Sequence, residues 1–194
     1  MTITVEADGK TYTGSSVVRV RWRKNDPLSA ANGPQWITTV SGEAVVVEIP
    51  GRGVLFALLN PPDEYNYATD LAFKALGAGA QRLPINELFD VIEAEQGKPQ
   101  VLSNDLFPFF ITFTNLDDPN SVKRVDPSNF AATFGPGVGL ESVVLEITDE
   151  PVTEGLIDEE LGWMRNQAQL DASWKIIDRQ YKKLILGLRY PIRR

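Results

Sequence analysis

Acidic side chains in and beside predicted loops are the residues of this sequence best suited to chemistry. They are Asp117, Asp118, Asp126, Asp149 and Glu150. Carboxylate oxygens are the ligands that Ca²⁺ and Mg²⁺ prefer, so a cluster of these residues could hold a divalent cation. Their spacing is not that of an EF-hand loop, and each has an ordinary structural interpretation as a turn residue, a helix cap or the end of a strand. We therefore predict no metal site and no cofactor.

Paired carboxylates are a second chemistry open to these acids. A glycosidase places two carboxyl groups on either side of the scissile bond, one as acid and one as base or nucleophile. Glu43, Glu48 and Glu146 could supply such a pair together with the loop acids. One sequence does not show which of them meet in space. The alternative hypothesis for function is therefore a carboxylate-dependent hydrolase, metal-assisted in one version, that acts on a sugar or phosphate substrate.

The chain contains no histidine and no cysteine. Histidine is the usual proton shuttle near neutral pH and, with cysteine, the usual ligand of zinc. Serine triads, zinc hydrolases and thiol nucleophiles are thus excluded in their usual forms. Ser15 and Ser16 in GSSVV lack an activating imidazole, and a serine–lysine pair would need Lys10 or Lys24 close by. We interpret both serines as the start of a strand.

The segment FGPGVG, residues 134–139, has the glycine content of a phosphate-binding loop. Such a loop aims backbone N–H groups and a helix N-terminus at the anion. Here the glycines lead into the strand-like run SVVLEIT instead. We interpret Gly135 as a helix terminator, and Gly137 and Gly139 as turn residues with positive φ.

Composition and charge narrow the class of protein. The 194 residues are 43% hydrophobic and 23% charged and carry a formal net charge of −7, so the chain is globular in composition and lacks the basic footprint of a nucleic-acid-binding protein. No apolar run approaches the roughly 18 residues that would cross a bilayer. We expect a cytoplasmic protein, or an extracytoplasmic one if a preceding anchor has been removed, and we do not expect nucleic acid as a partner.

Strand patterns dominate the first 24 residues. Ile3 and Val5 alternate with threonines before Asp8 and Gly9, a sequence that predicts a hairpin. In VVRVRWRK, residues 17–24, apolar side chains alternate with arginines, which is typical of a half-buried strand.

A loop is predicted from Asn25 to Pro34, and a β-branched strand from Trp36 to Ile49. PGRG, residues 50–53, predicts a turn. VLFALL, residues 54–59, is apolar on both faces, as expected of a central strand that is covered on both sides.

Two helices are predicted in the middle of the chain. The first lies within residues 61–77, with Asp63 as its cap and Gly77 as its stop. The second runs from about Asn86 to Ala94 and ends before Gly97. Their apolar faces are formed by Ala68, Leu71, Ala72, Ala75 and Leu76 in the first helix and by Leu88, Phe89 and Ile92 in the second.

The strand pattern returns in FPFFITFTN. Phe109, Ile111 and Phe113 share a face there, and we interpret the aromatic residues of this run as core rather than as a stacking platform. DPSNFAATFG is interpreted as a short helix with Asp126 as its cap and Pro127 at its first position.

In SVVLEIT, we expect Val143, Leu145 and Ile147 to point inward. The whole pattern predicts an α+β fold with a mainly antiparallel β-sheet or sandwich core, a few short helices and a C-terminal amphipathic helix.

The apolar periodicity of residues 166–194 predicts a basic amphipathic helix, which follows a β-rich domain of residues 1–165. Large apolar side chains recur there at intervals of three or four residues, at Leu170, Trp174, Ile177, Tyr181, Leu184 and Leu188. The opposite face carries Lys175, Arg179, Lys182 and Lys183. Residues 161–194 hold eight basic and two acidic side chains, a net +6, whereas residues 107–160 hold two basic and eleven acidic ones, a net −9.

Three interpretations of this helix are open. It packs on its own domain, it pairs with another protein or a second subunit, or it lies on an anionic membrane or nucleic acid. We expect a protein partner or self-association, and the residues of both faces are the predicted partner-binding residues.

The sequence resembles an uncharacterised proteobacterial protein family in four segments, GSSVVRVRW, SGEAVVVEIPGRGVLFALL, DDPNSVKRVDPSNFAATFGPGV and LEITDEPVT. The likeness covers roughly residues 12–165. The family has no assigned activity, so the resemblance implies none for this chain. Some members carry an N-terminal hydrophobic anchor ahead of the first strand, which implies an extracytoplasmic location for them.

These observations favour a non-enzymatic binding or assembly protein, a subunit of a larger complex whose interaction surface is the C-terminal helix. A phage or prophage structural component would fit this description, although no residue singles it out. The carboxylate-dependent hydrolase is the rival hypothesis.

Overall fold

The computed structural model describes residues 1–26, 36–62, 64, 66–77 and 82–190. Most of the loop predicted from Asn25 to Pro34 and the predicted helix cap Asp63 lie outside these residues. The strands, in chain order, are β1 (Thr2–Ala7), β2 (Lys10–Ser15), β3 (Arg19–Lys24), β4 (Trp36–Glu43), β5 (Val45–Ile49), β6 (Gly53–Leu58), β7 (Gln100–Val101), β8 (Phe109–Phe113), β9 (Val122–Val125), β10 (Val138–Leu145) and β11 (Arg189–Tyr190).

The helices are short and lie mostly in the middle and at the C-terminal end. They are α1 (Tyr67–Ala75), α2 (Ile85–Ala94), α3 (Ala131–Phe134), α4 (Leu156–Glu160), α5 (Gln167–Ile176) and α6 (Arg179–Leu186), with 3₁₀ turns at Asn104–Leu106, Pro119–Ser121 and Gly162–Met164. The strand ladders are antiparallel. The predicted α+β fold with an antiparallel core is therefore confirmed.

Two four-stranded sheets form the centre of the molecule. One has the order β2-β1-β10-β7 and the other β5-β6-β8-β9. The hairpin between β1 and β2 turns at Asp8 and Gly9, whose φ values of 52° and 74° are both positive, as a two-residue turn of the primed kind requires. This prediction is confirmed.

Strand β6 is buried on both faces, as predicted from its continuous apolar sequence. Leu55 and Ala57 belong to a core shared with β1, β5 and β10. Val54, Phe56 and Leu58 belong to a second core, which the C-terminal helices cover. The molecule therefore has three layers in this region, two sheets and then the helical layer formed by α4, α5 and α6.

A third sheet, of order β11-β4-β3, forms a ribbon beside these layers. Trp22 on β3 contacts Phe73 of α1 and Phe89 of α2, with ring centroids 5.3 and 5.5 Å apart. The predicted strand from Trp36 to Ile49 is two strands, β4 and β5, in different sheets. The chain turns between them beside Gly42, whose φ is 139° and whose Cβ, if present, would lie 3.1 Å from the Val17 carbonyl oxygen.

The helix predicted to begin at Pro127 begins four residues later than expected, at Ala131. The Asp126 carboxylate instead accepts hydrogen bonds from the N–H and the hydroxyl of Ser128, at 2.9 and 2.7 Å, and holds a local turn. Gly135 and Gly137 have the predicted positive φ, 93° and 79°. Gly139 does not, because it lies inside β10 rather than in the turn, so that prediction was wrong.

Helices α1 and α2 agree with their predicted apolar faces in part. Leu71 and Leu88 are buried, and Phe89 and Ile92 are half-buried. The sequence pattern missed Tyr67, which begins α1, is buried, and donates its hydroxyl proton to the Leu106 carbonyl at 2.9 Å. Gly77 follows α1 with a φ of 85°, as its predicted role as a stop requires.

Candidate functional site

The C-terminal segment is two helices and not one. Ile177 and Asp178 lie between α5 and α6 with extended ψ angles of 127° and 138°. The side chain of Asn120 holds this break open, because its amide donates to the Ile176 carbonyl at 3.0 Å and its oxygen accepts from the Asp178 N–H at 2.8 Å. One asparagine thus satisfies a backbone group on each side of the break.

The predicted apolar face of this segment turns toward the second core. Leu170, Ile177 and Leu188 are buried there, and Trp174, Tyr181 and Leu184 are half-buried against it. Residues 166–190 consequently share a core with the preceding residues. The predicted opposite face is exposed at Lys175, Arg179 and Lys183, whereas Lys182 is half-buried.

Strand β11 joins the end of the described chain to the ribbon. Arg189 pairs with Glu43 in the ladder with β4, and its guanidinium lies 2.7 Å from a Glu43 carboxylate oxygen and 2.7 Å from Asp158. The other Glu43 oxygen accepts from the Ile157 N–H at 3.1 Å. The N–H directions at Arg189 are not aligned for regular hydrogen bonds, but the N–O distances are those of close ion pairs. The sequence analysis missed Arg189. Its signal in the sequence is that it is the one charged residue in the run LILGLRYPI.

A groove opens between α5, α6 and the 3₁₀ turn before them, with a volume of about 610 Å³. Its apolar lining is Met164, Leu170, Trp174, Ile185 and Leu186, and its polar lining is Arg165, Asn166, Gln167, Asp171 and Arg189. The Lys182 ammonium lies over the Trp174 ring, 5.2 Å from its centroid. Of the predicted partner-binding residues, the structure thus brings Leu170, Trp174 and Lys182 together here.

Three of the loop acids, Asp117, Asp118 and Asp126, lie in local turns and do not form one cluster. Asp117 and Asp118 lie in a turn, where the Asp118 carboxylate accepts from the Asn120 N–H at 2.9 Å, and Asp126 holds the turn with Ser128. Within the described part of the chain, no three acids are placed to hold a metal ion.

The remaining loop acids, Asp149 and Glu150, share a cleft with Glu146. Glu146, Asp149 and Glu150 line a space of about 380 Å³ between β3, α1 and residues 145–152. Its remaining lining is mostly apolar and includes Val18, Val20, Leu71 and Ile92. The Asp149 carboxylate also accepts a hydrogen bond from the Gln96 amide.

Glu43 and Glu48, the other candidate acids, have separate surroundings. Glu43 is 2% exposed and is held by Arg189. Glu48 is exposed and lies close to Glu160. Burial of Glu160, the hydrogen-bonding influence and charge of Glu48, and the charge of Glu159 raise the pKa of Glu160 above its ordinary value.

The serines of GSSVV take structural positions. The buried Ser16 hydroxyl donates to the Glu43 carbonyl at 2.6 Å. Ser15 ends β2, whereas Lys10 begins the same strand and Lys24 ends β3, so neither lysine neighbours either serine along the ladder.

None of the helices in the described ranges is long and apolar enough to cross a membrane. No protein family model, no curated protein and no solved structure matches this chain.

Proposed function

We propose that this chain is a non-enzymatic binding or assembly protein, a subunit of a larger complex that contacts its partner through the outer surface of α5 and α6. The observation that supports this proposal is the open groove between these helices, where Leu170 and Trp174 form part of an apolar floor. A half-buried tryptophan in a groove is a typical anchor point of protein interfaces.

The charge around the groove selects the kind of partner. Arg165 and Asp171 line it, Lys182 lies over its tryptophan, and Lys175 and Arg179 are exposed on the same two helices. This surface stands out on a chain with a net charge of −7. The partner is therefore a protein segment that places an aromatic or aliphatic side chain against Trp174 and carboxylates beside the basic residues. A second copy of this chain, an anionic membrane and nucleic acid are the other outcomes of the test.

The test must separate binding from folding, because the inner side of both helices belongs to the core. Ile177 and Leu188 are buried, so changing them would unfold the chain rather than probe the surface. Lys182→Glu and Trp174→Ala change the groove itself. Lys10→Glu is the matched control, since Lys10 is exposed on β2 and lies outside the groove lining.

Affinity capture from the native cell, followed by titration of each captured protein in purified form, measures the interaction. We expect Lys182→Glu and Trp174→Ala to weaken the affinity at least about tenfold, and Lys10→Glu to leave it unchanged. Three further assays test the other binding partners. Light scattering on the purified chain tests for a second copy, vesicle flotation for an anionic membrane, and a gel-shift assay for nucleic acid. A partner bound equally well by all variants, or binding only to vesicles or nucleic acid, would overturn the proposal.

The rival function, a carboxylate-dependent hydrolase, is favoured by one observation, the cleft lined by Glu146, Asp149 and Glu150. Its test is hydrolysis of glycoside and phosphate-ester substrates with and without Mg²⁺. Activity lost in Glu146→Gln or Glu150→Gln and kept in Glu141→Gln, an exposed acid outside the cleft, would replace the binding proposal with this one.

A further inference from the structure

A second groove, of about 710 Å³, lies where the β3–β4 ribbon meets the end of β6 and the first turn of α1. It is separate from the groove between α5 and α6. Its described lining consists of two arginines, several hydroxyl and amide side chains, one acid and a few apolar residues, namely Arg19, Arg21, Trp22, Thr38, Thr39, Val40, Ser41, Leu59, Asn60, Asn66, Ala68, Thr69 and Asp70.

The two arginines make this groove basic on an acidic protein. Arg19 and Arg21 are two residues apart on β3, so they share a face and their Cα atoms are about 7 Å apart. Both are exposed, and neither forms an ion pair with any residue that the structure describes. Their ladder partners are Ser41 and Thr39 on β4, which place hydroxyl groups beside them. Asp70 is the acid in the described lining.

The neutral polar lining can both donate and accept hydrogen bonds. Asn60 and Asn66 supply amides, and Thr38 and Thr69 supply hydroxyls. The Thr69 hydroxyl has two acceptors within reach, the backbone carbonyl of Asn66 at 2.8 Å and the Asp70 carboxylate at 3.0 Å, so its oxygen is held in place. A ligand with many hydroxyl groups matches a lining of this composition.

We propose that this groove binds a polyhydroxylated anion, a sugar that carries a phosphate or a carboxylate. The planar guanidinium can donate two parallel hydrogen bonds to a phosphate or to a carboxylate, so both kinds of charged sugar would be bound in the same way. The volume lies in the range of small-molecule sites. The hydroxyls of the sugar then meet the threonine, serine and asparagine side chains, and Trp22, whose ring contacts Phe73 and Phe89, is part of the lining.

Calorimetric titration with four probes, three sugars and inorganic phosphate, tests the proposal and separates the two anions. Glucose 6-phosphate represents the phosphate, glucuronate the carboxylate, and glucose the sugar without charge. We expect at least one of the two charged probes to bind with a dissociation constant below about 10 mM and glucose to bind at least about tenfold more weakly. Inorganic phosphate is the fourth titrant, and it should also bind at least about tenfold more weakly than the bound sugar.

Variants locate the binding. Arg21→Gln and Ser41→Ala should each weaken it, the first at least about tenfold. Arg23→Gln is the matched control, because Arg23 is exposed on the same face of β3 and is not in the groove lining. Absence of binding by both charged probes, inorganic phosphate bound as tightly as the sugars, or equal loss in Arg23→Gln would overturn the proposal. An oligonucleotide bound in place of the sugars would overturn it as well.

Discussion

Arg189 and Glu43 form an ion pair with a nitrogen–oxygen distance of 2.7 Å, and their residues are 6% and 2% exposed. The pair lies in the ladder between β11 and β4, and Asp158 adds a second carboxylate 2.7 Å from the same guanidinium. A buried charge is costly unless it is paired, so each member depends on the others. This cluster connects the ribbon, α4 and the end of the described chain.

The first prediction concerns this cluster. Arg189→Met removes the positive charge and leaves Glu43 buried without its counter-ion, which should lower the free energy of unfolding by about 3–5 kcal/mol. Urea denaturation followed by tryptophan fluorescence measures the change. The variant Arg52→Met is the control, because half-buried Arg52 pairs with exposed Asp8 at the protein surface, where an ion pair contributes about 0–1 kcal/mol. Equal losses in the two variants would contradict the assigned role of the buried pair.

The second prediction concerns the break between α5 and α6. Asn120→Ala removes one hydrogen bond to Ile176 and one from Asp178, and should cost roughly 1–2 kcal/mol because each bond contributes about 1 kcal/mol. Hydrogen exchange should become faster in α5 and α6 while β1 and β6 keep their protection. Asn120→Asp retains the side-chain acceptor for the Asp178 N–H and loses the donor to the Ile176 carbonyl. Its stability should therefore lie between that of the parent chain and that of Asn120→Ala. Faster exchange throughout the sheets would mean that Asn120 does not act locally.

The third prediction uses two glycines that both lie inside strands. A Cβ on Gly14 in β2 would lie 1.8 Å from the Val46 carbonyl oxygen, which belongs to the rigid backbone of β5. Gly14→Ala should therefore destabilise the chain by about 3 kcal/mol or more, since the two sheets would have to separate. Gly139→Ala in β10 meets no atom within 4 Å and should be nearly neutral. Thermal melting of both variants tests the pair, and a similar melting temperature for the two would refute the close approach of β2 and β5.

The fourth prediction is a pH dependence. The pKa of Glu160 is raised in the folded chain, so its contribution to stability is complete below the unfolded pKa and is lost as the pH rises through the folded pKa. Glu160→Gln should therefore stabilise the chain at neutral pH and remove this loss. The stability difference between Glu160→Gln and the parent chain should shrink as the pH falls through the raised pKa toward the ordinary pKa of the carboxyl group. Glu141→Gln is an exposed control, and a difference that stays constant with pH would contradict the prediction.

Local patterns predicted much of the secondary structure. Asp8 and Gly9 specify a tight turn through their backbone preferences alone, and the apolar run of β6 requires cover on both faces. Such signals depend on neighbours in sequence. The division of residues 36–49 between two sheets depends on tertiary contacts, and it occurs beside Gly42, which packs closely against the backbone of Val17 and Val18.

The fold class, the hairpin, the helix stop at Gly135 and the exclusion of histidine and cysteine chemistry could be predicted from residue type and short-range periodicity alone. The conformation of the C-terminal segment could not, because it depends on contacts between residues that are distant in sequence. Its apolar periodicity continues across Ile177, yet the helix breaks there because Asn120, distant in sequence, supplies the hydrogen bonds that a continuous helix would have made internally. The tertiary structure likewise brought Arg189 to Glu43, since a buried charge finds its partner only when separate strands meet.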